Sequence, residues 1–158
     1  MATGRSLRVV VYHSPLFRAH WGVIVPIPAN EGSLYTKIHV TGSLAEGFVH
    51  EFQRTYDLDT TGRTNSTFDI GTVDEDAVAT FPAVVIGPED MITPTNRLEQ
   101  IALTVPAPGP SLRSATSVGG KVEIKDCQYW LKQYVAALVN EGLIGATAND
   151  ELAKVPAH

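Results

Sequence analysis

At 158 residues, with 44% apolar and 18% charged side chains, the chain has the size and composition of one globular domain, which excludes wholesale disorder. A formal net charge of -5 and a pI near 5.4, with basic residues scattered rather than clustered, exclude a general polyanion-binding surface, so no nucleic acid partner is expected. The lone cysteine excludes an internal disulfide framework and a cysteine-rich zinc site.

From Met1 to Arg5 the chain leads into a short apolar run, Leu7 to Tyr12, too brief for the core of a signal peptide. No stretch reaches the roughly 20 apolar residues of a membrane span, so no integral membrane segment and a cytoplasmic location are expected. Leu7 to Tyr12 itself reads as a β-branched strand, ended by His13-Ser14-Pro15. His20 to Ile27 reads as a second strand, bounded by the turn-rich stretch Pro28 to Gly32. In Ser33 to Thr41, Leu34, Thr36, Ile38 and Val40 alternate with Tyr35, Lys37 and His39, a third strand that a hairpin joins to the second. Phe48 to Tyr56 and Thr67 to Val73 supply a fourth and a fifth, and this spacing points to an antiparallel sheet. His50 is expected on the solvent side of that sheet. Asn65-Ser66-Thr67 matches a glycosylation sequon and reads as polar loop.

Val84 to Pro88 reads as a further strand or a buried turn. Thr95 or Asn96 is placed to cap a short helix over Arg97 to Leu103. Pro106 to Pro110 stops regular structure, and Pro106 to Gly120 is expected to be a flexible loop. Cys127, Trp130, Leu131, Tyr134, Val135, Leu138 and Val139 then recur at spacings of three and four, the stripe of an amphipathic helix. Asp126 is its expected N-cap and Gly142 its stop. Residues 146–158 are expected to fray. The sum is a single α+β domain over residues 1–158, an antiparallel sheet packed against a C-terminal amphipathic helix that carries the cysteine.

Cys127 falls in the first turn of that helix. The partial positive charge there stabilises a thiolate, the reactive form of cysteine, and the unpaired N–H groups suit an oxyanion. A base must lie within hydrogen-bond reach, and the histidines are His13, His20, His39, His50 and His158. His20 opens an apolar strand and His39 sits near the end of the next, so a short slip in hairpin register brings the two imidazoles together. One then serves as base and the other orients it. The plain alternatives are a buried structural thiol, strand histidines satisfied within the sheet, and Trp130 and Tyr134 as core packing. A metal site from His20, His39 and Cys127 is disfavoured, and no cofactor is expected.

His20-Trp21-Gly22-Val23-Ile24, then Ile38-His39-Val40, then Asp126-Cys127-Gln128-Tyr129-Trp130 resemble the lecithin–retinol acyltransferase-like branch of the NlpC/P60 superfamily. That branch carries a His-Trp strand, a second histidine on the next strand, and an Asn-Cys-Glu-His-Phe type helix start far downstream. Cys127 to Ile144 is also similar to fungal proteins with an Asn-Cys-Gln-x-Trp helix start. The resemblance implies a circularly permuted papain-like fold with Cys127 as nucleophile, His20 as base and His39 as third polar residue. Gly42 to Lys125 carries no motif that aligns. Asp126 stands where the family has asparagine, and its charge raises the thiol pKa unless the helix cap engages it. A hydrophobic anchor is absent, which weighs against a phospholipid substrate.

The implied activity is a cysteine-dependent hydrolase or acyltransferase acting on a thioester, ester or amide, with a small-molecule, acyl or peptide substrate. Two rivals keep the same pocket. One is a small-molecule isomerase or cyclase of specialised metabolism using His20 and His39; the other is a non-catalytic binding module.

Overall fold

A computed structural model describes residues 4–13, 19–26, 34–58, 64–87, 89–110 and 125–157. Strands β1 (Gly4–Tyr12), β2 (His20–Pro26), β3 (Leu34–Ser43), β4 (Gly47–Asp57) and β5 (Asn65–Asp74) form one sheet in the order β4-β3-β2-β1-β5. Every neighbouring pair is antiparallel. The described helices are α1 (Glu75–Val78), α2 (Arg97–Thr104), α3 (Cys127–Asn140) and α4 (Thr147–Leu152). The expected α+β class, antiparallel sheet and cysteine-bearing helix are therefore present.

Successive side chains on a strand point to opposite faces, and here both faces are buried. Val9 and Val11 of β1, Trp21, Val23 and Val25 of β2, Ile38 and Val40 of β3 and Phe52 of β4 pack with Leu98, Trp130, Leu131, Tyr134 and Leu138 of the helices. The alternate residues Val10, Tyr12, Ile24 and Tyr35 form a second, smaller apolar group on the other face. Continuous runs such as Val9-Val10-Val11-Tyr12 follow from this two-sided burial.

Helix α2 begins where the Asn96 side chain accepts a hydrogen bond from the Glu99 backbone N at 2.9 Å. Glu99, 1% exposed, also accepts from Thr95 N at 2.8 Å and pairs with Arg54 of β4 at 2.5 Å, which ties the helix to the sheet edge. Helix α3 begins where Asp126 accepts from Tyr129 N at 3.1 Å. It ends at Gly142, whose φ of 74° lets Leu143 N reach Leu138 O at 3.0 Å, the Schellman closure that glycine favours.

Four expectations change. Residues 147–152 form α4 rather than a frayed tail, because Ala148, Leu152 and Val155 recur on one face and enter the core. Asn65-Ser66-Thr67 is not loop but the start of β5, paired with Tyr12, Val11 and Val10. Val84 to Gly87 is neither strand nor buried turn: the stretch is irregular and Val85 is 95% exposed. His50 is not on a solvent face but on the helical one, edge-on to Trp130 at 5.9 Å, and its Nε2 lies 2.7 Å from Val105 O. Of the expected flexible loop, Pro108 accepts a backbone bond from Phe48 N at 2.7 Å, which pins the strand edge. Its residues 111–120, like His158, lie outside the described residues. Among the described residues no helix is long and apolar enough to cross a membrane.

Candidate functional site

The start of β2 is where the chemically active side chains gather. His20 is the first residue of that strand and pairs in register with Tyr12, whose ring stacks on the imidazole at 5.8 Å and 23°. On the same sheet face His20 Nε2 lies 2.8 Å from His39 Nδ1, with the two rings edge to face at 5.0 Å. The β2–β3 register sets Val23 opposite Ile38, so His20 and His39 are diagonal neighbours rather than direct partners. Gly22 makes room for that diagonal: a Cβ there would come within 3.3 Å of the Lys37 chain and 3.5 Å of the His39 Cβ.

Glu51 extends the pair into a relay. It stands directly opposite His39 in the β3–β4 register, and its Oε1 lies 2.7 Å from His39 Nε2. An ionised carboxylate only accepts, so Nε2 of His39 donates. In the neutral imidazole Nδ1 then accepts, and the donor facing it is Nε2–H of His20. With both imidazoles neutral, this direction of donation leaves Nδ1 as the accepting ring nitrogen of His20. His39 is 4% exposed, so the low local dielectric strengthens both bonds.

Beside the relay lies a second polar group. Lys37, itself 4% exposed, donates to Tyr12 Oη at 3.1 Å and sits 4.7 Å and 4.4 Å from the ring centroids of Tyr12 and Tyr56. The Tyr12 and Tyr56 hydroxyls bond to each other.

Cys127 approaches the same strand end from the helical face. Its sulfur receives the backbone N–H of Trp21 at 3.5 Å and lies 4.0 Å from the Ala19 carbonyl. The thiol thus faces an acceptor and the thiolate a donor, both on the backbone flanking His20. A backbone N–H directed at sulfur and the first turn of α3 favour the charged form, while burial of Cys127, 6% exposed, opposes it. The carboxylate of Asp126 is engaged in the cap.

All three residues expected from the sequence, Cys127, His20 and His39, therefore converge on β2. His20 and His39 meet directly. Cys127 meets the backbone on either side of His20. Glu51 is a member that the sequence motifs do not mark, although the short turn between β3 and β4 carries the signal: Ser43 faces Gly47 across it, and counting back from that pair puts Glu51 opposite His39. His13 is elsewhere, with Nε2 2.8 Å from Ser66 Oγ. Among the described residues no group of three His, Cys, Asp or Glu side chains is placed to hold a metal ion.

No curated protein and no solved structure matches the chain. A family model does match, over residues 7–145, a span that takes in His20, His39, Glu51 and Cys127. That model describes a family of unknown function, DUF6540, and the chain belongs to it.

Proposed function

We propose that the protein is a thiol hydrolase or acyltransferase in which Cys127 carries a covalent acyl group and the His20–His39–Glu51 relay moves the proton. The observation that carries this reading is the hydrogen-bonded chain His20–His39–Glu51 at the start of β2, together with a cysteine sulfur that meets the backbone on either side of His20. In the forward step the Cys127 proton passes to His20 Nδ1 and the sulfur attacks the acyl carbon. The carbonyl π pair moves to oxygen, where the Cys127 backbone N–H supports the charge. Collapse expels the alcohol, thiol or amine, which takes its proton from His20. Water or an acceptor nucleophile, deprotonated by His20, then releases the acyl group and restores the thiol. His39 orients His20, and Glu51 stabilises the positive charge that the relay gains. The chain order of histidine strand, second histidine strand and cysteine helix supports a permuted papain-like arrangement.

The reading makes one geometric demand. His20 stacks with Tyr12 on one sheet face while Cys127 comes from the face of Trp21, so sulfur and Nδ1 must meet around the first residue of β2. That same division favours a second reading, acid–base catalysis by His20 on the Tyr12 face without the thiol, as in an isomerase or cyclase. The two separate by thiol reactivity. Iodoacetamide alkylation of Cys127 is followed across pH in the wild type and in His20→Ala. Fast labelling with an apparent pKa well below the free-thiol value of about 8.5, lost in His20→Ala, is the expected result. Labelling that requires denaturation would sink the thiol mechanism and leave the acid–base site or a binding module.

A further inference from the structure

Gln128 is fully buried immediately after the cysteine, in the first turn of α3. Its carboxamide nitrogen donates to Ala19 O at 2.8 Å and to Ala157 O at 2.9 Å. The Ala157 carbonyl accepts in addition from Ala19 N at 2.8 Å. Two residues along, the Trp21 indole Nε1–H donates to Pro156 O at 3.0 Å. Both neighbours of His20 are thus bonded to the Pro156–Ala157 segment, and the residue before His20 is bonded to the residue after Cys127. The segment is itself anchored, because Leu152 and Val155 just before it are 3% and 7% exposed in the core.

We propose that Gln128 is a positioning residue: with Pro156 and Ala157 it clamps the strand bearing His20 to the helix bearing Cys127 and so sets the distance between base and nucleophile. This inference rests on the thiol reading above. The sulfur takes its backbone donor from Trp21 and faces the carbonyl of Ala19, the same two residues that the clamp holds. Release of the clamp lets the strand end drift from α3, and both the N–H···S contact and the approach of His20 loosen together. Reacting groups need near-contact separation, and displacement by about 1 Å costs on the order of a hundredfold in rate. The same geometry gives α4 a purpose: it delivers the two carbonyls that hold the site.

The test is Gln128→Met, which keeps length and burial but removes both donors, with Trp21→Phe as a second variant that removes only the indole donor to Pro156. Circular dichroism and the thermal midpoint report folding, and iodoacetamide alkylation against pH reports the site. A structural role alone lowers the midpoint and leaves the pH profile unmoved. The clamp predicts that Gln128→Met alkylates about five- to tenfold more slowly near pH 6, the effect of a shift of one pKa unit in thiolate fraction. Trp21→Phe moves the same way by a smaller factor, and decides the matter if Gln128→Met does not fold. A wild-type thiol with an ordinary profile overturns the thiol reading and the clamp together. An activated wild-type thiol whose profile both variants share overturns the clamp alone.

Discussion

Tyr134 sits at the centre of α3, and its ring stacks on Trp130 at 5.0 Å and 18°. It is fully buried, and its hydroxyl donates to Leu98 O at 2.8 Å, linking the cysteine-bearing helix to α2. Burial holds the phenol pKa well above its ordinary range, with the buried Glu99 carboxylate adding to the effect. Tyr134→Phe keeps the ring and deletes the hydroxyl. Below pH 10 the loss is one neutral hydrogen bond, about 1 kcal/mol. From about pH 10 upward an opposing contribution grows. The unfolded phenol ionises with a pKa of about 10 while the folded one stays protonated, so the unfolded state binds fewer protons and wild-type stability falls as pH rises. With the folded phenol still protonated, the loss by pH 11 is on the order of 1 to 2 kcal/mol. The phenylalanine variant has no such term. Wild type is therefore the more stable protein at pH 7, the two curves cross above about pH 10, and the variant leads beyond the crossing. Urea unfolding of both proteins at several pH values between about 7 and 11 measures the difference directly, since every other tyrosine is common to both. A gap that stays constant through pH 11 refutes the argument, because the phenol would then ionise in the fold as easily as in the unfolded chain.

Glu51→Leu removes the acceptor that fixes the tautomer of His39, so His20-dependent alkylation of Cys127 is expected to slow by about tenfold or more, of the order seen when an orienting hydrogen bond is lost; Glu51→Gln, which can still accept through its carbonyl, is expected to fall between, and equal rates in all three proteins refute the relay. Asp126→Asn keeps the cap and deletes the charge beside the sulfur, so stability should hold while the alkylation profile moves to lower pH. Asp126→Ala loses the cap and about 1 kcal/mol of stability by urea unfolding; a profile that shifts upward in Asp126→Asn counts against an electrostatic role for the carboxylate.

The strands and α3 were legible because each repeats a simple period over enough residues. Alternation in Leu34 to Val40 and the three-four spacing from Cys127 to Leu138 need no tertiary knowledge to read. His50 escapes the sequence pattern because a histidine reads as polar in isolation. Its neighbours at two residues, Phe48 and Phe52, lie on the helical side, and the alternation of β4 carries His50 there with them. Helix α4 has six residues, too short for propensity to establish it alone, and it exists because Ala148 and Leu152 find the core. Val84 to Gly87 shows the opposite failure. Its apolar run matches the pattern of a strand, yet the β4 N–H groups of Phe48 and Phe52 donate to the carbonyls of Pro108 and Met91 instead. Glu51 needed register, and register depends on a turn whose length matters more than its composition.

Both members of the proposed pair are terminal residues, His20 the first of β2 and Cys127 the first of α3. In mid-strand, an imidazole on one face and a sulfur on the other would be separated by a continuous ladder of backbone bonds. At a strand's first residue the ladder of the sheet ends, and the thiol reading needs sulfur and imidazole to approach each other there. The N–H of Trp21, pointing at sulfur, lies one residue inside that boundary. The thiol and acid–base readings therefore ask different things of the same three residues, Ala19, His20 and Trp21. If the sulfur is the nucleophile, changes that move this backbone alter thiol reactivity even when His20 keeps its bond to His39. If the imidazole works alone on the Tyr12 face, the same changes leave turnover intact as long as His20, His39 and Glu51 stay bonded. Paired measurements of alkylation and of the His20 ring resonances in one backbone variant thus separate the readings before any substrate is identified.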